Sequence, residues 1–178
     1  MSQLREKYYK KVRHELQKKL GYKNIMQVPF LHKIVISMGI AEALKDKNVL
    51  QDHASELASI AGQKPVVTKA KKAISNFKLR KDNPIGLMVT LRGKRMFDFL
   101  DRFANIIAPR ISDFRGCNKA GDKQGNYTFG VPDQQIFPEL NLDLVKRRQG
   151  MNITFVTSAT TDEECRELLG SLGFPFKK

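Results

Sequence analysis

The stretch from Pro29 to Gly39 alternates between apolar and other side chains, and this pattern strongly restricts how the chain can fold. A period of two is that of a β-strand with one buried face. The side chains predicted to share the buried face are Phe30, His32, Ile34, Ile36 and Met38. We therefore expect His32 to be a packed or hydrogen-bonded core histidine rather than a metal ligand.

The segments on either side of this strand have helical spacing. Leu4, Tyr8, Val12, Leu16 and Leu20 recur every four residues before Gly21, a typical C-cap. Further on, Asn48 followed by Gln51 predicts a capping box that opens a second helix and ends at Gly62. Its inward residues are predicted to be Leu50, Ala54, Leu57, Ala58 and Ala61.

The rest of the chain predicts more short elements. A third helix is expected over Arg95 to Ala108, with Ile106 on its apolar stripe, and a fourth after the capping box of Thr161 and Glu164. Strands are expected at Pro65 to Thr68, Ile85 to Leu91, Tyr127 to Val131 and Met151 to Ser158. This order predicts one α+β domain over residues 1–178: helices on one face of a sheet, and the other face open. A basic loop (about 70–84) and a mobile, glycine-containing loop (about 112–126) would protrude.

Positive charge is the strongest functional signal. The net charge is +14 in 178 residues, and residues 62–95 hold ten basic side chains and one acidic. Such a surface attracts polyanions. A membrane is the weaker candidate, since the apolar stretches are far shorter than the roughly 20 residues that span a bilayer. The N-terminus also lacks the apolar region of a secretory signal, so we expect a cytoplasmic protein.

Catalytic and metal-binding patterns are missing from the sequence. His14, His32 and His53 are widely spaced and have no cysteine nearby, so we expect no metal and no cofactor. Cys117 and Cys165 are expected to be reduced thiols; Cys117 follows Arg115 and could be somewhat activated, although a spectator thiol fits better. Asp162, Glu163 and Glu164 are expected to offset a helix dipole rather than to act as catalytic acids.

The basic segment therefore suggests a nucleic-acid interface. Phe77, within it, could stack on a base or pack in a core, and the residues alone leave both open. Structured RNA is favoured over DNA, since no helix-turn-helix, zinc finger or heptad repeat is present. The alternatives are an RNA-modifying enzyme, a nonspecific nucleic-acid chaperone and, last, a small-molecule enzyme.

Several long blocks resemble one family in order along nearly the whole chain. They are NIMQVPFLHKIVISMGIAEA (24–43), GQKPVVTKAKKAISNFKLRKDNPIG (62–86), VTLRGKRMFDFLDR (89–102), PRISDFRG (109–116), GNYTFGV (125–131), IFPEL (136–140), GMNITFVTSATTDEE (150–164) and the ending LLGSLGFPFKK. The family is the bacterial large-subunit ribosomal protein five, or L-five, family. The resemblance implies a curved, mostly antiparallel sheet and a non-enzymatic protein that binds 5S rRNA and attaches it to the central protuberance.

The resemblance also implies partners and site residues. Besides 5S rRNA, the partners would be 23S rRNA, P-site tRNA, a small-subunit head protein of the S-thirteen family in an intersubunit bridge, and neighbouring central-protuberance proteins, with no membrane and no small-molecule substrate. The rRNA-binding residues would be Asn24, Gln27, Ser37, Gln63, Lys64, Thr68, Thr90 and Arg92. The tRNA and bridge loop would use Lys71, Lys72, Ser75, Asn76, Phe77, Lys78, Arg80 and Lys81. The family usually has asparagine where Ser37 stands, and a hydroxyl offers fewer hydrogen bonds than an amide.

Overall fold

The computed structural model of the chain describes residues 3–44, 46–111, 114–142 and 145–177. The chain divides into two compact units, each built from separate segments. Unit 1 comprises Met1–Ile34, Leu91–Phe129 and Thr154–Lys178, and unit 2 comprises Val35–Thr90 and Gly130–Ile153. The expectation of a single domain stays a prediction.

Helices and strands alternate along the chain. The helices are α1 (Gln3–Lys7), α2 (Arg13–Leu20), α3 (Lys47–Ala61), α4 (Gly93–Arg102) and α5 (Asp162–Ser171), with π-helical turns at Tyr8–Val12 and Phe103–Ile107. The strands are β1 (Leu31–Gly39), β2 (Val66–Lys69), β3 (Pro84–Leu91), β4 (Tyr127–Val131) and β5 (Met151–Thr157). They form an open antiparallel sheet in the order β2-β3-β1-β5-β4, which confirms the predicted α+β class.

The N-terminal helix follows its predicted stripe. Leu4, Tyr8, Val12 and Leu16 are buried in unit 1, and the Tyr8 hydroxyl donates a 2.9 Å hydrogen bond to the carbonyl of Pro29. Gly21 ends the helix with a φ of +71°, a left-handed conformation that glycine adopts without a steric penalty. The four-residue spacing therefore predicted this helix and its end.

The core of unit 1 is aromatic around Phe103. Its ring centroid lies 5.9 Å from that of Phe155 and 5.5 Å from that of Phe174, and all three side chains are buried. The prediction that Ile106 joins the apolar stripe was wrong, because its side chain is 43% exposed. Ile106 lies in a π-helical turn, whose wider repeat moves it out of the 3.6-residue phase.

The core of unit 2 combines α3 with the buried sides of β1 and β3. Buried side chains include Ile36, Met38, Leu57, Ile60, Leu87 and Val89. The helix is capped differently from the prediction, since Asp46 rather than Asn48 is the N-cap. Asp46 Oδ1 accepts a 2.9 Å hydrogen bond from the Asn48 backbone N–H. Asp46, two residues before Asn48, thus accepts from a backbone N–H of the first turn that has no acceptor within the helix.

The prediction for His32 was also wrong. Ile34, Ile36 and Met38 are buried as expected, but the buried residue at the start of β1 is Leu31, and His32 is exposed. The alternation changes phase between Leu31 and Ile34, which turns His32 outward with Phe30. In unit 2 the buried histidine is His53, whose Nδ1 lies 2.8 Å from Glu56 Oε2.

The final helix begins as predicted. Thr161 is its N-cap, and the Thr161 hydroxyl accepts a 3.3 Å hydrogen bond from the Glu164 N–H. Asp162 accepts backbone hydrogen bonds from Gly121 and Lys123, at 3.1 and 2.9 Å. The Asp162 carboxylate therefore has structural partners within unit 1.

The glycine-containing segment is attached to other parts of unit 1. The Cys117 N–H donates to the carbonyl of Pro175 at 2.8 Å, and the Lys177 N–H donates to the carbonyl of Cys117 at 2.9 Å. Ser112 and Asp113, at the start of this segment, lie outside the described residues. Its mobility stays a prediction.

Candidate nucleic-acid interface

The basic loop of unit 2, residues 70–84, is a closed, hydrogen-bonded hairpin. At its base, Ala70 N–H donates to the carbonyl of Asn83 at 2.9 Å, and Asp82 N–H donates to the carbonyl of Ala70 at 3.0 Å. Nearer the tip, Ile74 and Leu79 exchange two backbone bonds of 2.9 and 3.0 Å. A 3₁₀ turn, Ser75–Phe77, forms the tip. These bonds close the loop along most of its length, and its side chains extend from this hairpin.

The cations of the basic loop are exposed and uncompensated. They are Lys71, Lys72, Lys78, Arg80 and Lys81. Among the residues that the structure describes, none of the five forms an ion pair. By contrast, Lys146 of the same unit lies 2.9 Å from Asp52 Oδ2. Five unpaired positive charges on one loop attract a polyanion, whose phosphates would neutralise them.

Phe77 is the aromatic residue at the tip of the basic loop. Its side chain is 71% exposed, so the core alternative left open by the sequence is wrong. Ser75 and Asn76 are exposed beside it. The tip therefore presents an apolar ring and two short polar side chains between the cations.

Three other predicted residues lie on one side of neighbouring strands, which we call the open sheet face of unit 2. Thr68 of β2 pairs with Gly86 of β3, and Thr90 lies further along β3 on the same side. Ser37 alternates with the buried residues of β1, so it shares this face. The structure thus brings together three hydroxyl side chains, all partly exposed.

Gly86 allows close packing on the open sheet face. A Cβ at this position would lie 2.3 Å from the Met38 carbonyl oxygen and 3.2 Å from Thr68 Oγ1. A side chain there would push β1 away from β3. The glycine therefore lets β3 pack against the Met38 carbonyl of β1.

Gln63 and Lys64 lie just before β2, also in unit 2. The Gln63 side-chain amide donates to the carbonyl of Thr90 at 3.4 Å, which orients it along β3. Lys64 is exposed and, within the described part of the chain, has no ion-pair partner. Together with the three hydroxyls they add polar groups and a positive charge to a face that also exposes the apolar side chains of Val66 and Met88.

The remaining predicted residues, Asn24, Gln27 and Arg92, belong to unit 1. Asn24 caps the 3₁₀ turn Ile25–Gln27, and its Oδ1 accepts a 2.9 Å hydrogen bond from Met26 N–H. Gln27 is exposed. Arg92 is exposed and precedes α4 as its N-cap. The oxygen of the Asn24 amide is thus already engaged within the chain.

Sequence reasoning missed an exposed aromatic surface in unit 1. Tyr9, Met26 and Phe30 are 52%, 74% and 41% exposed. Tyr9 lies off the helical stripe, immediately after the buried Tyr8, and this position was the one available sequence signal. The three residues are far apart in the chain, and only the folded unit brings them together.

The two thiols are chemically quiet. Burial raises the pKa of Cys117 to about 11, against an opposing hydrogen bond from Tyr127. Burial likewise raises the pKa of Cys165 to about 11, against a hydrogen bond from Thr157. The thiolate is the reactive form, so the alternative of an activated Cys117 is wrong.

Metal-binding groups and membrane-spanning helices are both absent from the described ranges 3–44, 46–111, 114–142 and 145–177. No group of three or more histidine, cysteine, aspartate or glutamate residues there could hold a metal ion. No helix there is long and apolar enough to cross a membrane.

Comparison with known proteins assigns the chain to a family. Residues 24–80 match the family model described as "Ribosomal protein L5", and residues 84–176 match the model of the C-terminus of that ribosomal family. The chain is 68% identical to "Large ribosomal subunit protein uL5" of Protochlamydia amoebophila, over 99% of this chain and 96% of that protein. It is 60% identical to the protein of that name from Chlamydia felis, over 100% of this chain and 99% of that protein. This chain therefore belongs to the ribosomal protein L5 family of structural, non-enzymatic ribosome components.

Proposed function

We propose that this chain binds 5S rRNA and attaches it to the central protuberance of the large ribosomal subunit. Family membership makes it a structural component of that subunit, and the identity of its RNA partner is the proposed step. In unit 2 the residues proposed to contact the RNA are those of the open sheet face. In unit 1 they are the exposed polar residues Asn24, Gln27 and Arg92. Contacts with 23S rRNA and with neighbouring central-protuberance proteins belong to the same proposal.

We propose a separate role for the basic loop. It would contact P-site tRNA and a small-subunit head protein of the S-thirteen family, forming an intersubunit bridge. The five cations of this loop project from a hydrogen-bonded hairpin rather than from the sheet.

One observation supports the RNA assignment most directly: the cations of the basic loop have no ion pairs within the described part of the chain, unlike Lys146, which is paired with Asp52. Unpaired lysine and arginine side chains gain most from phosphates, because binding releases the counterions of the RNA. The hydroxyls of Ser37, Thr68 and Thr90 can hydrogen-bond ribose and base edges in a shallow RNA groove. The cations would thus give the basic loop its affinity for tRNA, and the hydroxyls would give the sheet face its selectivity for 5S rRNA.

Competition binding tests the 5S assignment. Purified full-length protein is bound to 5S rRNA at physiological salt, with excess tRNA and a length-matched duplex RNA as competitors. We expect 5S binding to survive both competitors. Equal loss to every competitor, with a steep dependence on salt, would contradict the proposal and favour a nonspecific nucleic-acid chaperone.

A further inference from the structure

A groove in unit 1 is lined by aromatic and apolar side chains and has no role in the proposal above. Its volume is about 310 Å³, within the range of small-ligand sites. The residues that line it are Tyr8, Tyr9, Arg13, Met26 and Phe30. We call it the aromatic groove.

The walls of the aromatic groove are held in place before any ligand binds. The Tyr8 hydroxyl bonds to the carbonyl of Pro29, and the Tyr8 ring meets Tyr9 edge-on with 5.2 Å between centroids. Phe30 exchanges two 2.9 Å hydrogen bonds with Ser158 through its own backbone. A ligand would therefore lose little affinity to ordering these residues.

Large apolar side chains are exposed to solvent around the aromatic groove. Tyr9, Met26 and Phe30 are each at least two-fifths exposed, and they border one cavity rather than being scattered. Clustered exposed apolar side chains indicate a surface that a partner covers. The Phe30 ring already contacts the His32 ring, with 4.2 Å between centroids. The ring surface of Tyr9 and Phe30 that stays exposed is of the kind on which nucleobases stack.

Charge favours a polyanion as that partner. The Arg5 guanidinium lies 5.9 Å from the centre of the Tyr9 ring, and an Arg13 guanidinium nitrogen lies 2.9 Å from the Met26 sulfur. Residues 1–23 hold eight basic and two acidic side chains. The nearby acid Glu6 is paired with Lys10 at 3.3 Å. An apolar protein partner would have to bury these guanidinium groups, whereas an RNA strand would neutralise them.

We propose that the aromatic groove binds one unpaired nucleobase of an RNA partner, stacked against Tyr9 and Phe30. Arg5 and Arg13 contact the phosphates on either side of that base. The inference rests on the proposed RNA-binding function and deepens it, because it adds single-strand recognition to the shape recognition of the sheet face. It predicts a preference for RNA that carries a bulged or looped base.

The test uses two hairpin RNAs with the same number of phosphates. One carries a single bulged 2-aminopurine, and the other is fully paired. We expect full-length protein to prefer the bulged hairpin, to quench its fluorescence, and to form ultraviolet cross-links that map to Tyr9 or Phe30. Tyr9→Leu with Phe30→Leu should weaken binding to the bulged hairpin about ten-fold and abolish the preference.

Ile106→Ala is the matched control, since Ile106 is an exposed apolar residue of the same unit that does not line the groove. It should bind both hairpins like the wild type. No preference in the wild type, or cross-links that all map elsewhere, would overturn the inference even if the leucine variant fails to fold. Unchanged hairpin binding in a folded leucine variant that no longer enters large subunits would also overturn it, in favour of a protein partner.

Failure of the groove and failure of the proposed function are distinguishable. Selective 5S binding without a preference between the hairpins would overturn the groove and leave the proposed function standing. A bulge preference lost in the leucine variant, but without selectivity for 5S rRNA, would overturn the proposed function and support the groove.

Discussion

The hydroxyl of Tyr22 donates a hydrogen bond to Glu164 Oε1, which joins two residues 142 positions apart in the chain. Tyr22 follows the N-terminal helix, and Glu164 belongs to the capping box of α5. Glu164 Oε2 also accepts a 2.9 Å bond from the Thr160 N–H. One carboxylate thus ties the N-terminal helix to the start of the last helix within unit 1.

Tyr22→Phe should destabilise the protein by about 1 kcal/mol at pH 7, the usual size of one lost hydrogen bond. Partial burial alone would raise the pKa of Glu164, but hydrogen bonds from Tyr22 and Thr160 outweigh it and keep the pKa below its usual value. A lowered pKa in the folded state gives stability above the unfolded-state pKa, and this stability is lost as the pH falls through the folded-state pKa. The difference in unfolding free energy between Tyr22→Phe and the wild type, measured by urea unfolding, should therefore shrink below about pH 4.

Tyr8→Phe is the matched control for this pH dependence. It removes a tyrosine hydroxyl bond to the Pro29 carbonyl, which does not titrate. Its loss of unfolding free energy should be the same at pH 7 and below about pH 4. A Tyr22→Phe deficit that also stays constant would show that the charge of Glu164 does not contribute.

Gly86→Ala should destabilise the protein by about 2 kcal/mol, as overpacking commonly does. The new methyl group would overlap the Met38 carbonyl oxygen, a backbone atom that cannot rotate away. Gly39→Ala, in the same unit, meets nothing within 4 Å and should change the unfolding free energy by less than about 0.5 kcal/mol. Equal stability of the two variants, measured by denaturant unfolding, would contradict the packing argument.

Much of the fold was predictable because its signals are local. The stripe from Leu4 to Leu16 and the capping box at Thr161 each lie within one element, so spacing alone identifies them. The errors arose where two nearby residues were both suited to the same structural role. Asp46 and Asn48 are both good N-caps, and either phase of β1 buries an apolar residue, so spacing could not choose between Leu31 and His32.

The candidate site was predictable where charge alone defines it. The unpaired cations of the basic loop follow from the ten basic residues of 62–95. The aromatic groove was not predictable, because Tyr9, Met26 and Phe30 meet only after the N-terminal helix packs on the segment before β1. Family resemblance provided the hydroxyl residues of the sheet face, since a partly exposed threonine carries no signal of its own.

Lys71→Ala with Lys72→Ala should leave 5S binding nearly intact and weaken tRNA binding about ten-fold, with a shallower salt dependence. Each lost phosphate contact lowers the slope of log affinity against log salt by roughly one. Binding of both RNAs is measured between low and physiological salt. Loss of 5S binding in this variant would move the primary site into the basic loop.

Lys146→Ala with Arg148→Ala is the charge-matched control. It removes the same two charges from unit 2, but these cations are paired with Asp52 and Asp133. We expect at most about a two-fold change in the affinity for either RNA. A ten-fold loss of tRNA binding here would show that net charge, not the loop, determines the affinity.

Gln63→Ala with Thr90→Ala should lower the affinity for 5S rRNA about thirty-fold without unfolding the protein, since the two lost hydrogen bonds together cost about 2 kcal/mol. The Thr90 carbonyl that accepts from the Gln63 side chain belongs to the backbone, so the double variant keeps it. Neither substitution therefore removes a backbone hydrogen bond of β3. Thr90→Ser retains the hydroxyl and should bind like the wild type. Competition binding measures affinity, and thermal unfolding checks the fold. Wild-type affinity in the folded double variant would remove Gln63 and Thr90 from the 5S interface and contradict the proposed role of the sheet face.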